Sequence, residues 1–308
     1  MISLVFPGQG SQKVSMGSDL FDKFDYVKQL FKTADEILKY KISDLIMNGP
    51  QEKLNETRYT QPAIYLIGCA IMEILKKETD FFKNNFNYLA GHSLGEYTAL
   101  TAANVFSFEQ GLLLLKHRGE AMQSAVPLGE GGMLAVLGVE PEEIKSIINI
   151  NSDNFKCYLA NDNSNGQLII SGKNSEIEKL VIILKKKKIK NIKLPVSAPF
   201  HCELMRDATI KMENIINDQK IENPFYKVVS NVTASEYKSV DEIKKLLVQQ
   251  IESPVRWRET IEFMIKGGTG TFIEIGPGKV LSGLIKRINK DVKVLNIDKL
   301  EDIQDIKI

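Results

Sequence analysis

The chain of 308 residues is long enough for about two domains and a sizeable hydrophobic core. Its 40 basic and 39 acidic residues give a formal net charge of +1, so no overall field favours nucleic acid or an anionic membrane. A hydrophobic content of 43% and a charged content of 26% are typical of a soluble globular protein.

Short β-branched or aromatic runs alternate with helical periodicity along the chain, which predicts an α/β fold. In chain order, strands are expected at residues 4–6, 88–90, 227–229 and 271–275, and helices at residues 19–38, 60–75, 109–122 and 280–287.

The middle of the chain follows a different order of elements. Strands are expected there at residues 133–139, 155–160, 167–171 and 189–194, with one helix opening at residue 140 and another at residues 174–187. This β-α-β-β-α-β order is typical of a ferredoxin-like unit. We therefore predict a small subdomain at residues 126–197, inserted into a large α/β domain formed by residues 1–125 and 198–308.

The cysteines indicate a reducing compartment. Cys69, Cys157 and Cys202 lie far apart, which predicts neither a disulfide framework nor a zinc site. The histidines are equally scattered, so no bound metal is expected. There is no basic leader, and no apolar run approaches the ~20 residues that a membrane helix requires. We expect a cytoplasmic protein that does not span a membrane.

The segment Gly91-His92-Ser93-Leu94-Gly95 matches the pattern Gly-x-Ser-x-Gly. It follows a predicted strand and precedes a predicted helix, the context in which this pattern presents a nucleophilic serine on a sharp turn. A plain turn is the competing interpretation. If Ser93 is the nucleophile, the Leu94 amide at the start of the helix could donate a hydrogen bond to an oxyanion.

A nucleophilic serine needs a base within hydrogen-bond reach, and the sequence offers three histidines. His92 is adjacent to Ser93 and would point away from it, and His117 falls on the polar face of its helix. His201 follows the exit of a predicted strand, where catalytic groups collect in α/β sheets. His201 is therefore the candidate base.

Arg118 is the one ionisable residue on the apolar face of the helix predicted at residues 109–122. A guanidinium turned toward the core needs an anion, because an unpaired buried charge is costly. An internal Asp or Glu and the carboxylate of a substrate are equally good candidates for that anion.

Two glycine-rich loops, residues 7–12 and 276–279, follow predicted strands. Neither has the spacing of a P-loop or of a dinucleotide-binding turn, so nucleotide binding is not favoured. The first loop could supply a second backbone donor beside the nucleophile.

Several blocks of residues occur in the order found in malonyl-CoA:acyl carrier protein transacylases, and the chain resembles that family from residue 5 to about residue 285. The blocks are Phe6-Pro7-Gly8-Gln9-Gly10-Ser11-Gln12, Thr60-Gln61-Pro62-Ala63, Gly91 to Tyr97, Lys116-His117-Arg118-Gly119, Gly166-Gln167, Ala198-Pro199-Phe200-His201, and Ser253-Pro254-Val255 with Trp257.

The resemblance implies an α/β-hydrolase-like core with a mainly parallel sheet and an inserted ferredoxin-like subdomain. It also implies that Ser93 is the nucleophile, that His201 is its base, and that the amides of Gln9 and Leu94 form the oxyanion hole.

Four further residues have roles that the resemblance implies. Arg118 would hold the carboxylate of a malonyl group, and the main-chain carbonyl of Gln250 would orient the histidine in place of an aspartate. Asn161 would border the cleft. Phe200, a bulky residue before the histidine, would disfavour α-branched malonyl groups.

The activity that the resemblance implies is ping-pong transfer of a malonyl group from malonyl-CoA to the phosphopantetheine thiol of acyl carrier protein. No tightly bound cofactor and no nucleic acid are implied, and we expect a monomer. The block at residues 198–201 favours fatty acid synthesis, although a free-standing acyltransferase of a polyketide assembly line would share these motifs. A serine esterase would place an acidic residue before a histidine near its C-terminus. A non-catalytic scaffold that binds the carrier would not require nucleophile, base and cation together.

Overall fold

The computed structural model describes residues 1–196 and 198–306. The strands in this part of the chain are β1 (Ile2–Phe6), β2 (Leu89–Gly91), β3 (Gly131–Leu137), β4 (Cys157–Ser164), β5 (Gln167–Lys173), β6 (Lys190–Lys193), β7 (Val228–Val229), β8 (Thr271–Ile275) and β9 (Lys293–Ile297).

The α-helices are α1 (Ser18–Lys23), α2 (Asp25–Leu38), α3 (Ile42–Asn48), α4 (Gln51–Leu54), α5 (Thr57–Glu78), α6 (Gly95–Ala102), α7 (Phe108–Ser124), α8 (Pro141–Ile150), α9 (Asn174–Lys186), α10 (Arg206–Asn217), α11 (Val240–Gln250), α12 (Trp257–Lys266), α13 (Val280–Ile288) and α14 (Leu300–Asp305). Short 3₁₀ helices occupy Phe81–Lys83 and Glu203–Met205. No helix in the described ranges is long and apolar enough to cross a membrane.

The larger sheet is parallel and has the strand order β7-β2-β1-β8-β9. Side chains of β1 alternate between its two faces, since Leu4 and Phe6 pack into one core cluster and Val5 into another. Helices α5 and α7 contribute to the first cluster, and α12 and α13 to the second. The predicted α/β core with a mainly parallel sheet is confirmed.

The smaller sheet is antiparallel and has the strand order β4-β5-β3-β6. Its elements follow the chain as β3-α8-β4-β5-α9-β6, which confirms the predicted ferredoxin-like order. Leu134 and Val136 of β3 face a cluster completed by α8 and α9, whereas Met133 and Ala135 join the main core. The boundaries at residues 126 and 197 remain predictions, and residue 197 lies outside the described residues.

Some predicted elements differ from the structure. The single helix expected over residues 19–38 is two helices, because Phe24 between α1 and α2 is extended with φ of −120° and ψ of 118°. Strand β9 was not predicted. It is an edge strand in which only Ile297 is fully buried, and its sequence Lys293-Val294-Leu295-Asn296-Ile297 lacks the strict alternation of apolar and polar residues that predicts a half-buried strand.

The carboxyl ends of β1, β2 and β8 meet at one edge of the parallel sheet, where ligands bind in open α/β folds. The loops that follow them touch: a Cβ on Gly276 would lie 2.7 Å from Pro7 Cγ, and one on Gly8 would lie 2.5 Å from the His92 carbonyl oxygen. The loop after β1 and the turn carrying Ser93 are thereby held side by side.

Candidate active site

The turn between β2 and α6 presents Ser93 at its apex. Ser93 has a φ of 54°, in the left-handed region, which few residues other than glycine adopt without support. The glycines on either side permit the turn: a Cβ on Gly91 would lie 1.9 Å from the Gly95 backbone, and one on Gly95 would lie 2.2 Å from the Phe6 carbonyl oxygen. The Asn231 side chain supports the turn by accepting from the Ser93 amide at 2.7 Å. The serine is therefore held in a strained and tightly packed turn.

Ser93 Oγ lies 2.8 Å from His201 Nε2. His201 Nδ1 lies 2.8 Å from the main-chain carbonyl oxygen of Gln250. A carbonyl can only accept, so Nδ1 carries the proton and Nε2 is left as the acceptor for the serine hydroxyl. The main chain of Gln250 thus selects the tautomer in which the imidazole can remove the serine proton.

Burial and then the nearby Arg118 guanidinium lower the pKa of His201 to about 3. The imidazole is therefore neutral throughout the physiological pH range. A neutral imidazole can accept the proton of Ser93 without first losing one of its own.

Arg118 is fully buried beside the nucleophile. Its Nη2 donates to Ser93 Oγ at 3.2 Å and to Gln250 Oε1 at 2.7 Å, and its Nη1 donates to Gln61 Oε1 at 2.9 Å. Its Nε has no hydrogen-bond partner within the described ranges, and the buried Glu96 carboxylate acts on the guanidinium without a direct hydrogen bond. Its hydrogen-bond partners in the fold are thus neutral. The sequence left two candidate anions, an internal Asp or Glu and the carboxylate of a substrate. No internal Asp or Glu within the described ranges forms a salt bridge with Arg118.

Glu96 lies beneath these residues on α6. Its carboxylate accepts from the Gln250 side chain, from the Tyr237 hydroxyl and, at 3.2 Å, from the main-chain amide of Asn231. Burial raises the pKa of Glu96 to about 7. Because Asn231 also bonds to Ser93, this buried network connects the supports of the nucleophile with those of the arginine.

Sequence reasoning missed Gln61, Glu96 and Asn231 as parts of the site. Gln61 and Glu96 lie inside blocks quoted for the family resemblance, which was the available signal. Asn231 lies after β7 in a segment without any recognised motif.

Two main-chain amides, those of Gln9 and Leu94, are the predicted oxyanion-hole donors. Leu94 precedes the first residue of α6, and Gln9 lies in the loop held against the His92 carbonyl by Gly8. Across residues 1–196 and 198–306, neither amide donates to another protein group. Free amides at a helix N-terminus suit a developing negative charge.

The predicted cleft residues lie further from the nucleophile. Asn161 Nδ2 is 3.3 Å from His92 Nε2, and Asn163 Oδ1 is 2.8 Å from the same nitrogen. Phe200 is buried in the main core, and its carbonyl accepts from Ser171 Oγ at 2.6 Å. Asn161 thus contacts the neighbour of Ser93, and the Phe200 side chain packs in the core next to His201.

Comparison with known proteins identifies the family. A sequence profile described as an acyl transferase domain matches residues 3–302. The chain belongs to the acyl transferase family. This acyltransferase is 40% identical over 305 residues to the malonyl CoA-acyl carrier protein transacylase of Bacillus subtilis, covering 98% of this chain and 95% of the relative.

Solved structures of acyltransferases agree with this assignment. The acyl-carrier-protein S-malonyltransferase from Bartonella henselae superposes with a TM-score of 0.95 at 39% identity, covering 98% of this chain and 97% of that one. A malonyl-transacylase in complex with a type II PKS acyl-carrier protein superposes with a TM-score of 0.94 at 36% identity, covering 98% and 97%. The acyltransferase therefore resembles these enzymes over nearly its whole length.

Proposed function

We propose that this acyltransferase moves a malonyl group from malonyl-CoA to the phosphopantetheine thiol of acyl carrier protein through a malonyl-serine intermediate. One observation carries the proposal: a buried arginine without a carboxylate partner points at the same Ser93 oxygen that His201 contacts. A serine and histidine alone would suit many acyl groups. The added cation favours an acyl group with a free carboxylate.

In the first half-reaction, Ser93 Oγ attacks the thioester carbonyl of malonyl-CoA while its proton passes to His201 Nε2. The Gln9 and Leu94 amides donate to the resulting oxyanion. When the oxyanion collapses, the carbon–sulfur bond breaks and the imidazolium returns its proton to the departing sulfur. CoA leaves as a thiol, and a malonyl ester remains on Ser93.

In the second half-reaction, the thiol of the carrier protein attacks this ester and gives its proton to His201. A carbon–sulfur bond forms, the ester bond breaks, and the proton returns to Ser93 Oγ. Arg118 holds the malonyl carboxylate in both steps, so malonyl is favoured over acetyl, which would leave the guanidinium without an anion. CoA leaves before the carrier thiol enters, while the malonyl group stays on Ser93, which gives ping-pong kinetics.

The relatives' names support malonyl-CoA and acyl carrier protein as the two partners. We place the reaction in fatty acid biosynthesis. A malonyltransferase of a polyketide assembly line is the second candidate, because one similar structure is a complex with a type II PKS carrier. Transfer rates to carriers of the two kinds would separate the two pathways. A cytoplasmic, monomeric enzyme without a tightly bound cofactor completes the proposal.

An esterase is disfavoured by the hydrogen bond at His201 Nδ1. Its partner is a main-chain carbonyl rather than the acidic side chain of a hydrolase triad. Hydrolysis of the malonyl-enzyme faster than its reaction with a carrier thiol would favour the esterase.

Intact-mass measurement after mixing with malonyl-CoA tests the proposal directly. The wild-type protein should gain one malonyl group, and holo acyl carrier protein should remove it. Ser93→Ala should gain none, and Arg118→Ala should gain it slowly. An adduct that persists in Ser93→Ala would contradict the assignment of the nucleophile.

A further inference from the structure

The free edge of β4 pairs with the larger domain through a short main-chain bridge. The Val255 amide donates to the Ala160 carbonyl at 2.8 Å, and the Val255 carbonyl accepts from the Asp162 amide at 3.0 Å. Asn161 faces Val255 in this short parallel bridge. The register of β4 against β5 shifts on both sides of it, so the strand is irregular where the two sheets meet.

An ion pair reinforces this junction. Arg258 of α12 donates to both carboxylate oxygens of Asp162, from Nη2 at 2.8 Å and from Nε at 3.1 Å. The two side chains are only 21% and 6% exposed. A bidentate pair that is shielded from water constrains geometry more strongly than an exposed pair. We call Asp162 and Arg258 the junction ion pair.

The residues on either side of Asp162 contact the neighbour of the nucleophile. Asn161 Nδ2 lies 3.3 Å and Asn163 Oδ1 lies 2.8 Å from His92 Nε2. His92 is also contacted by α12, where the ring of Trp257 packs edge-on against the His92 ring with centroids 5.6 Å apart. The histidine before Ser93 is thus held between β4 and α12, the two elements that the junction ion pair joins.

We propose that the junction ion pair positions the wall of the acyl site. By fixing β4 against α12, it keeps Asn161 and Asn163 in place against His92, and it sets the width of the cavity that Asp162 and Arg258 line together with His201, through which malonyl-CoA would reach Ser93. The inference rests on the proposed function. Asp162 and Arg258 are positioning residues, since neither bonds to Ser93 or His201 within the described ranges.

The test uses the whole chain and the variants Asp162→Asn, Arg258→Met and their combination. Glu262→Gln is the matched control: Glu262 accepts from Arg258 at 3.1 Å, but along the same helix and without crossing the junction. Two rates are measured on each protein. Malonyl transfer gives kcat and KM, and sulfonylation of Ser93 by phenylmethanesulfonyl fluoride reports whether serine and histidine remain together.

Each single variant should raise the KM for malonyl-CoA about tenfold, with kcat and the sulfonylation rate changed by less than about threefold. The KM of the double variant should be no higher than that of the poorer single variant, because the second substitution removes a partner that has already lost its contact. Glu262→Gln should match the wild type. Where Arg258→Met does not fold, Arg258→Lys should give an intermediate KM.

Three results would overturn the inference: an unchanged KM in both single variants, a parallel loss of sulfonylation and transfer, or additive effects in the double variant. The wild-type malonyl adduct separates this inference from the proposed function. If the adduct forms and the variants keep their KM, the junction ion pair does not position the site. If the wild type forms no adduct, the proposed function is wrong, and so is this inference, which rests on it.

Discussion

Replacing Arg118 by Met should remove the preference for malonyl groups while leaving Ser93 and His201 together. Methionine keeps much of the apolar stem and removes every donor. Among the described residues, Arg118 donates only to neutral amide and hydroxyl oxygens, so a malonyl carboxylate would be its first anionic hydrogen-bond partner. A hydrogen bond to a charged group contributes about 1.5–3 kcal/mol, so losing two of them at about 1.5–2 kcal/mol each should raise the transition-state free energy by ~3–4 kcal/mol.

At ~1.4 kcal/mol for each factor of ten, that loss lowers kcat/KM for malonyl-CoA by about 10²–10³. With acetyl-CoA, kcat/KM should change by less than about threefold, since acetyl offers the guanidinium no anion. Quenched-flow mass spectrometry of the acyl-enzyme measures both rates, and Arg118→Lys serves as the control that keeps the charge.

The reasoning would be refuted if Arg118→Met kept the wild-type ratio of malonyl to acetyl rates. It would also be refuted if both rates fell together with the unfolding midpoint. Either result would make Arg118 a structural residue whose charge is not used to select the acyl group.

Three further predictions concern pH, packing and substrate range. Because the pKa of His201 is lowered to about 3, this imidazole stays neutral as pH falls through 6.5, so its titration should give no inflection near that pH in the rate of Ser93 sulfonylation by phenylmethanesulfonyl fluoride. Burial raises the pKa of Glu96 to about 7, so an inflection there would indicate a solvated imidazole only if it persists in Glu96→Gln. Gly95→Ala should lower the free energy of unfolding by ~2–4 kcal/mol in urea titrations, since its Cβ would lie 2.2 Å from a carbonyl oxygen. Gly283 lies on the exposed face of α13, and a Cβ there would have no atom within 4 Å, so Gly283→Ala should instead raise the free energy of unfolding by up to about 1 kcal/mol. Equal effects of the two substitutions would contradict the packing argument. Methylmalonyl-CoA should be turned over at least about tenfold more slowly than malonyl-CoA, and Phe200→Ser should reduce this difference in rate. Comparable rates with the two thioesters in the wild type would mean that Phe200 does not determine specificity.

The chemistry of the site could be reached from the sequence because its reactive side chains carry local signals. Ser93 lies in a turn pattern, His201 is the histidine left after elimination, and Arg118 is a charge on an apolar helix face. All three patterns are visible without knowing which elements are neighbours in space. The structure brings these three residues within hydrogen-bond distance of one another or of a shared partner.

The supporting residues could not be reached in the same way. Glu96, Gln61 and Asn231 are ordinary polar residues whose significance comes from burial and from partners that are distant in sequence. The bond from Asn231 to Ser93 spans 138 positions, and no periodicity or spacing encodes it. The role of the Gln250 carbonyl came only from the family resemblance, because every residue has a carbonyl and no side-chain pattern distinguishes one.

That carbonyl has a consequence for engineering. The group that aligns the imidazole belongs to the peptide backbone, so no exchange of side chain at position 250 deletes it. The side-chain amide of the same glutamine, by contrast, is removed by any such exchange, and with it the bonds to the Arg118 guanidinium, to Glu96 and to the Ser93 carbonyl. Substitutions at position 250 therefore disturb the supports of Arg118 and of the Ser93 turn, while each variant keeps the carbonyl that accepts from His201 Nδ1.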